Sequence, residues 1–268
     1  MKTRTIIVLS LCIGLGLLWL AGASHEDLRA RRSPRVVEAG LEDVPPAMTV
    51  AMVALGGFRG LVADVLWLRL SHLQEQWEFF EMVQLAEWIS KLQPHAAEIW
   101  EYHAWNLAYN VSVMLPDYED RWRWVWHGIS LLRDEGLAYN PREVRLYVQL
   151  GWMFQHKIAG TADPAHVLYQ RRLAGKVLDA LGSARPDFEL LTEEQAQRLH
   201  ADLRMDVERM REVDGHYGPL DWTRAEAHAV YWAHLGMVRN PDADLTGCRR
   251  MIRQSLAALA AGPRSHAR

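Results

Sequence analysis

The chain has 268 residues, 50% of them hydrophobic, and a formal net charge of −3. It is therefore large and apolar enough to bury a core, and its charge gives no reason to expect nucleic acid. The two cysteines, Cys12 and Cys248, lie far apart, so no intrachain disulfide is expected. Nine of the twelve tryptophans fall between Trp67 and Trp152, so the centre of the chain is predicted to hold the densest core or an aromatic surface.

The chain begins with a short basic head and an apolar run. Lys2 and Arg4 precede Ile6–Ala23, and a transmembrane helix needs about 17–25 apolar residues. The length of the run favours an uncleaved membrane anchor at residues 1–24. The alternative is a cleaved signal peptide, since the small residues at 21–23 are typical of a signal-peptidase site. The basic head favours a body outside the cytoplasm, whereas arginines at 29, 31, 32 and 35 count against that orientation.

Residues 25–57 are predicted to be a linker followed by an apolar lead-in segment. Three prolines, at 34, 45 and 46, lie in the polar part. The stretch 47–57 is apolar without periodicity. The charged residues Arg59 and Asp64 follow it, so the apolar run ends before it is long enough to span a bilayer. A buried first segment of the domain is the favoured interpretation. Contact with the bilayer surface and a second span are the alternatives.

From residue 58 onward the apolar spacing is helical, and one pattern occurs twice. An aromatic residue is followed after four positions by a small residue and after three more by a large apolar one. The two sets are Trp100, Ala104 and Leu107, and Tyr147, Gly151 and Phe154. Pro94 and Pro141 precede them, where a proline ends one helix and allows the next to begin. Each set therefore predicts a helix whose small residue lets a neighbouring helix approach closely.

This pattern resembles the tetratricopeptide repeat (TPR), a helix–turn–helix unit with an aromatic residue, a small residue and a late proline at fixed positions. Leu66 precedes Trp100 by 34 residues, the TPR period, so residues 58–181 are predicted to form about three TPR-like hairpins. The spacing from Trp100 to Tyr147 is 47, and a turn-rich insertion at 110–120 is expected to hold the excess. The helix at 166–181 is expected to pair with the helix that contains Tyr147.

Residues 182–262 are predicted to form a C-terminal helical cap. Thr192 and Gln195 suit a capping box at the start of one long charged helix that runs to about residue 213. Ala225, Ala229 and Ala233, set four apart, predict a close-packing helix. Its predicted partner runs from 245 to 259, and residues 263–268 are expected to be a disordered tail.

The sequence carries no motif that indicates an enzyme. The chain contains no His-Glu-x-x-His, Cys-x-x-Cys, Gly-x-Ser-x-Gly or glycine-rich phosphate loop, so neither a metal nor a cofactor is expected. The spacings closest to ligand spacing are Asp163 with His166 and His228 with His234, and structural roles are favoured for all four. Asp163 is a candidate N-cap, with Pro164 at the first helical position.

The TPR resemblance implies a binding surface on the inner face of the first helices of the repeats. Its register assigns to this face Glu98, Glu101, Trp105, Ala108 and Tyr109 from the second repeat, and Arg145, Val148, Trp152, Gln155 and His156 from the third. The predicted partner-binding residues among these are Glu101, Trp105, Tyr109, Arg145, Trp152 and His156. The two tryptophans are expected to serve as aromatic platforms and Arg145 to pair with a carboxylate. The alternative is that the rings fill a tight core.

Together these features predict an all-α protein, a short TPR-like α-solenoid tethered by one N-terminal transmembrane helix. Such arrays usually act through their surfaces. The predicted function is a scaffold that binds another protein in or at the membrane, as an accessory subunit of a bacterial envelope complex. The predicted location is the bacterial inner membrane, with the soluble part in the periplasm. Two alternatives stay open: a receptor that stacks a sugar or aromatic ring on its tryptophans, and an enzyme or cofactor carrier with a site among Trp105, Trp152, His156, Asp163 and His166.

Overall fold

The computed structural model describes residues 59–76 and 78–262. These residues form ten helices and no strand, so the all-α prediction is confirmed for them. The predicted anchor at 1–24, the linker and lead-in segment at 25–57 and the tail at 263–268 lie outside the described residues. Within the described ranges, no helix is both long enough and apolar enough to cross a bilayer.

Connections of 3 to 11 residues join the helices. Their bounds are α1 Arg59–Glu75, α2 Phe79–Leu92, α3 97–114, α4 118–139, α5 144–158, α6 His166–Leu181, α7 Glu193–Leu203, α8 Val207–Tyr217, α9 Ala225–Arg239 and α10 Thr246–Ala260.

Three of these helices contain a π-helical stretch, in which each hydrogen bond spans five residues instead of four. The stretches are Asn106–Val111 in α3, Leu131–Gly136 in α4 and Met153–Ile158 in α5. π-Helix is rare in proteins and often occurs at functional sites. The wider turn changes the direction in which the following side chains point.

The chain divides into two compact units, Met1–Ser71 with Lys91–Gln93, and His72–Ser90 with Pro94–Arg268. In the described part of the first unit, Leu92 is buried and packs against Val62 and Leu66. Val65 and Leu68 of the same unit are exposed.

The second unit contains a continuous apolar core that α3 to α10 line. Its largest fully buried side chains include Trp100, Phe154, Tyr169, Trp222 and Tyr231. Trp122 and Trp126 share a face of α4 and stack with their ring centroids 5.2 Å apart. Tryptophan thus contributes both to this core and to the surface described below.

Two predicted close approaches between helices are confirmed. A Cβ atom on Gly128 of α4 would lie 2.6 Å from the carbonyl oxygen of Ala104, so α4 approaches α3 as closely as only glycine allows. A Cβ atom on Gly151 of α5 would lie 3.3 Å from the carbonyl oxygen of Ala229. The small residues of α9 therefore do meet a neighbouring backbone, and the predicted α9–α10 hairpin is present.

The later helices pair differently from the predicted hairpins. α5 packs mainly along α9 and α10, whereas α6 packs mainly against α7 and meets α5 at its π-helical end. The prediction that α6 pairs with the helix of Tyr147 is therefore wrong. The alanines at 225, 229 and 233 explain why α5 packs on α9 instead of on α6. They give α9 an apolar surface that the α5 backbone can approach closely.

The predicted insertion at 110–120 is also wrong. α3 continues to residue 114, and three residues connect it to α4. Asp117 then caps α4 by accepting hydrogen bonds from the backbone N–H groups of Glu119 and Asp120. The excess length lies instead in the long helices α3 and α4 with their π-helical stretches.

The charged helix predicted from 192 to 213 is two helices. The capping box of Thr192 and Gln195 is confirmed at the start of α7. Arg204 then adopts a left-handed conformation with φ of 52° and ends that helix. Asp206 begins α8 by accepting a hydrogen bond from the backbone N–H of Arg209.

Candidate partner-binding surface

All six predicted partner-binding residues lie in the second unit, on adjacent faces of α3 and α5. Glu101, Trp105 and Tyr109 follow one another at intervals of four along α3, a spacing that keeps side chains on one face. Arg145, Trp152 and His156 run along the neighbouring face of α5. The structure arranges them as two groups, one aromatic and one charged.

The aromatic group is a series of four rings, Trp105, Tyr109, His156 and Trp152, which we call the aromatic ladder. Ring centroids are 5.8 Å apart between Trp105 and Tyr109, 5.7 Å between Tyr109 and His156, and 4.5 Å between His156 and Trp152. A 3.3 Å hydrogen bond joins the Tyr109 hydroxyl to Nδ1 of His156. None of the four rings is fully buried, and Trp152 is 37% exposed. The ladder therefore presents part of its aromatic surface to solvent, chiefly at Trp152 and His156, while Tyr109 also packs against the core.

A buried ion pair supports the ladder from below. Nζ of Lys157 lies 5.2 Å from the centroid of the Tyr109 ring, where a cation is attracted by the π face. The same ammonium donates a 2.7 Å hydrogen bond to Asp163. The Lys157 and Asp163 side chains are only 4% and 6% exposed. Arg121 and the Tyr169 hydroxyl also donate to Asp163, and these four residues form what we call the Asp163 network.

The charges in the Asp163 network depend on one another. Burial raises the pKa of Asp163, but hydrogen bonds from Lys157, the Ala165 N–H and Tyr169 outweigh burial and hold that pKa below its ordinary value. Burial lowers the pKa of Lys157. The hydrogen bond and charge of Asp163 raise that pKa again, but it stays below its ordinary value. Removing Asp163 would leave the buried Lys157 ammonium without a carboxylate, whereas removing Lys157 would leave Asp163 with the longer 3.4 Å contact to Arg121 as its ion pair.

Asp163 is not the N-cap of α6, so that prediction is wrong: Ala165 holds the position and Pro164 precedes the helix. The Asp163 carboxylate accepts a 2.9 Å hydrogen bond from the Ala165 N–H, but α6 begins only at His166. Nδ1 of His166 lies 2.8 Å from the main-chain oxygen of Asp163. Both residues thus hold the connection between α5 and α6.

The charged group lies at the other end of the face. Arg145 donates through Nε to Glu101 and through a terminal nitrogen to Glu98 at 3.1 Å. Glu143 accepts a hydrogen bond from the backbone N–H of Arg145. Three carboxylates and one guanidinium give these four residues, here called the carboxylate cluster, a net charge of −2. Arg145 is thus already paired within the chain, and an incoming carboxylate would meet net negative charge.

An open groove of about 540 Å³ adjoins the carboxylate cluster. Arg145 and Val148 line it from α5, and Asp244 and Arg250 line it from the α9–α10 hairpin. The groove extends the α3–α5 face towards the C-terminal helices. Its lining mixes both signs of charge.

A further group of polar side chains lies on α8 and α9. Glu212, His216 and His234 each offer a ligand atom, and these atoms lie within 4.8 Å of one another. This group was not predicted, because the charged helix was expected to end at about residue 213, before His216, and His234 was considered only together with His228. The four-residue spacing of Glu212 and His216 on one helix face was the available signal. His228 instead is buried, with Nε2 2.9 Å from the main-chain oxygen of Trp222.

Comparison with protein-family models, curated proteins and solved structures finds no match to this chain. The side chains of the surface therefore carry the functional proposal.

Proposed function

We propose that this chain is a membrane-tethered, TPR-like scaffold whose α3–α5 face binds a segment of another protein, as an accessory subunit of a bacterial envelope complex. The observation that carries the proposal is the aromatic ladder, four rings in serial contact that stay partly exposed. Aromatic side chains in such positions are typical anchors of protein interfaces. The sequence resemblance supports the scaffold, and the apolar run at 6–23 supports the tether.

The two ends of the face favour a partner segment of definite chemistry. The ladder offers rings on which an aromatic or large apolar side chain can pack. The carboxylate cluster, with its net charge of −2, attracts a lysine or arginine and repels a carboxylate. The segment that fits best therefore carries a basic residue beside an aromatic or apolar one.

The Asp163 network favours a rigid binding surface. Lys157 is held between Asp163 and the Tyr109 ring, so the middle of the ladder is fixed before a partner arrives. Fixed side chains lose little conformational entropy on binding, which leaves more of the contact energy for affinity.

Site-specific photo-crosslinking in intact cells tests this proposal. The photoreactive residue p-benzoylphenylalanine replaces Trp152 in one variant and Trp88 of α2 in a control. The two side chains are matched in exposure, at 37% and 39%, but Trp88 is not part of the ladder. We expect a discrete protein adduct from position 152 and none from position 88. Equal adducts from both positions, or no protein adduct from position 152, would refute the proposed surface.

A further inference from the structure

We infer that Glu212, His216 and His234 form a binding site for a divalent transition-metal ion of the Zn²⁺ class that links α8 to α9. The inference is independent of the proposed partner-binding surface. It rests on the orientation of the three side chains as well as on their closeness.

Both imidazoles are oriented as metal ligands usually are. Nδ1 of His216 lies 2.8 Å from the main-chain oxygen of Glu212, and Nδ1 of His234 lies 3.1 Å from the Tyr217 hydroxyl. In metal sites the second ring nitrogen commonly bonds to a carbonyl or another polar group, which fixes the ring and its tautomer. Nδ1 of each ring is thus occupied, and Nε2 is the nitrogen left for a metal ion; at His234 the ion would replace the present contact between Nε2 and Glu212.

The third ligand is already next to one of these nitrogens. Oε1 of Glu212 lies 3.1 Å from Nε2 of His234. The centroids of the two imidazole rings are 5.3 Å apart. An ion that bonds at about 2.0–2.2 Å to nitrogen and oxygen ligands needs donor atoms a few ångströms from one another. Small side-chain rotations would complete such a site.

Arg209 limits the affinity of the site but does not block it. Its guanidinium bonds to Oε2 of Glu212, which leaves Oε1 for a metal ion. The positive charge of Arg209 opposes a bound cation, so moderate affinity is expected. The same bond holds the carboxylate in place, as a second-sphere partner does in known sites.

The donor set selects the class of metal. Two imidazoles and one carboxylate suit Zn²⁺ and its neighbours, whereas Ca²⁺ and Mg²⁺ prefer oxygen ligands alone. Three protein ligands leave a fourth position for water or another ligand. His216 is exposed, so this position is reachable from solvent.

Calorimetric titration of the detergent-purified full chain with ZnCl₂, after treatment with a chelator, tests the inference. The variants are His216→Ala and Glu212→Gln, with His200→Ala of α7, another exposed helical histidine, as the matched control. Circular dichroism confirms that each variant is folded. We expect the wild type to bind one Zn²⁺ per chain. Loss of a second-sphere partner typically weakens metal binding roughly 10–100-fold, so loss of the ligand in His216→Ala should weaken it at least as much. His200→Ala should match the wild type.

Cobalt substitution and Tyr217→Phe give a second readout. Bound Co²⁺ should show the visible absorption of a low-symmetry four- or five-coordinate site, and this signal should be absent in His216→Ala. Tyr217→Phe removes the hydroxyl beside Nδ1 of His234 and should weaken Zn²⁺ binding about 10-fold or more. Equal affinity in His216→Ala and His200→Ala, or only weak binding to several sites, would overturn the inference.

Discussion

Two buried histidines predict that the fold loses stability in mild acid. His103 and His228 are 3% and 1% exposed. Neither ring nitrogen of His103 has a hydrogen-bond partner among the described residues, and Nδ1 of His228 also has none. Burial lowers the pKa of each to about 4, and the nearby charge of His127 adds to the effect at His103. An unfolded histidine has a pKa of about 6.5.

The sign and size of the effect follow from these values. Between pH 6.5 and pH 4 the unfolded chain binds protons that the folded chain does not bind. The free energy of unfolding is therefore highest above pH 6.5 and falls as the pH drops to 4. Going from pH 7 to pH 5 costs about 2 kcal/mol for each histidine, or about 4 kcal/mol for both. A domain of this size should lose about 8–16 °C in Tm.

Thermal unfolding followed by circular dichroism at pH 7 and pH 5 measures this loss. His103→Gln and His228→Gln cannot titrate, so each variant should lose about half of the pH dependence even if it is less stable at pH 7. His200→Gln, at an exposed position, should keep all of it. A wild-type Tm that changes by less than about 2 °C, or single variants that keep the full pH dependence, would refute the reasoning.

Three further changes test the packing and the surface. Asp163→Asn should lower the free energy of unfolding by about 3–5 kcal/mol in urea denaturation, because Lys157 stays buried without its carboxylate; a loss below about 1 kcal/mol would contradict the buried pair. Gly128→Ala should cost about 1–3 kcal/mol, since the new Cβ would lie 2.6 Å from the Ala104 oxygen. Its control, Gly175→Ala, meets nothing within 4 Å and should stabilise α6 by about 0.5–1 kcal/mol; equal effects would count against the close α3–α4 contact. Trp152→Ala should reduce recovery of the partner in co-purification and change the Tm by only a few degrees.

Local periodicity predicted much of the fold. The spacing of Trp100, Ala104 and Leu107 identified the helix and the small residue where another backbone approaches. The alanines at 225, 229 and 233 did the same for α9. Thr192 with Gln195 marked a helix start correctly, because a capping box depends on residues three apart. These signals succeed since the interactions that they report are local.

Features set by long-range contacts were not predictable in this way. Ala108 was assigned to the surface by a regular register, but it lies in the π-helical stretch Asn106–Val111 and is fully buried. The pairing of α5 with α9 depends on residues about 80 positions apart, and no spacing within either helix reveals it. The Asp163 network and the group around His234 likewise assemble only when separate helices meet.

The aromatic ladder and the Asp163 network meet at one turn of α5, so a change in the network should affect the ladder. His156 points outward into the ladder and Lys157, the next residue, points inward to Asp163. Loss of the carboxylate should therefore loosen Lys157 and the Tyr109 ring above it, and weaken partner binding by the exposed face.

Asp163→Asn tests this coupling when it is compared with Val177→Ala, which destabilises the same unit by removing buried methyl groups in the distant half of α6. At a temperature where both variants are folded, the adduct yield from position 152 should fall in Asp163→Asn and persist in Val177→Ala. Equal yields in the two variants would mean that the buried ion pair serves stability alone. A selective loss would mean that the buried ion pair also supports the exposed binding surface, a role that an apolar pair of similar volume would not be expected to fill even if it stabilised the core as well.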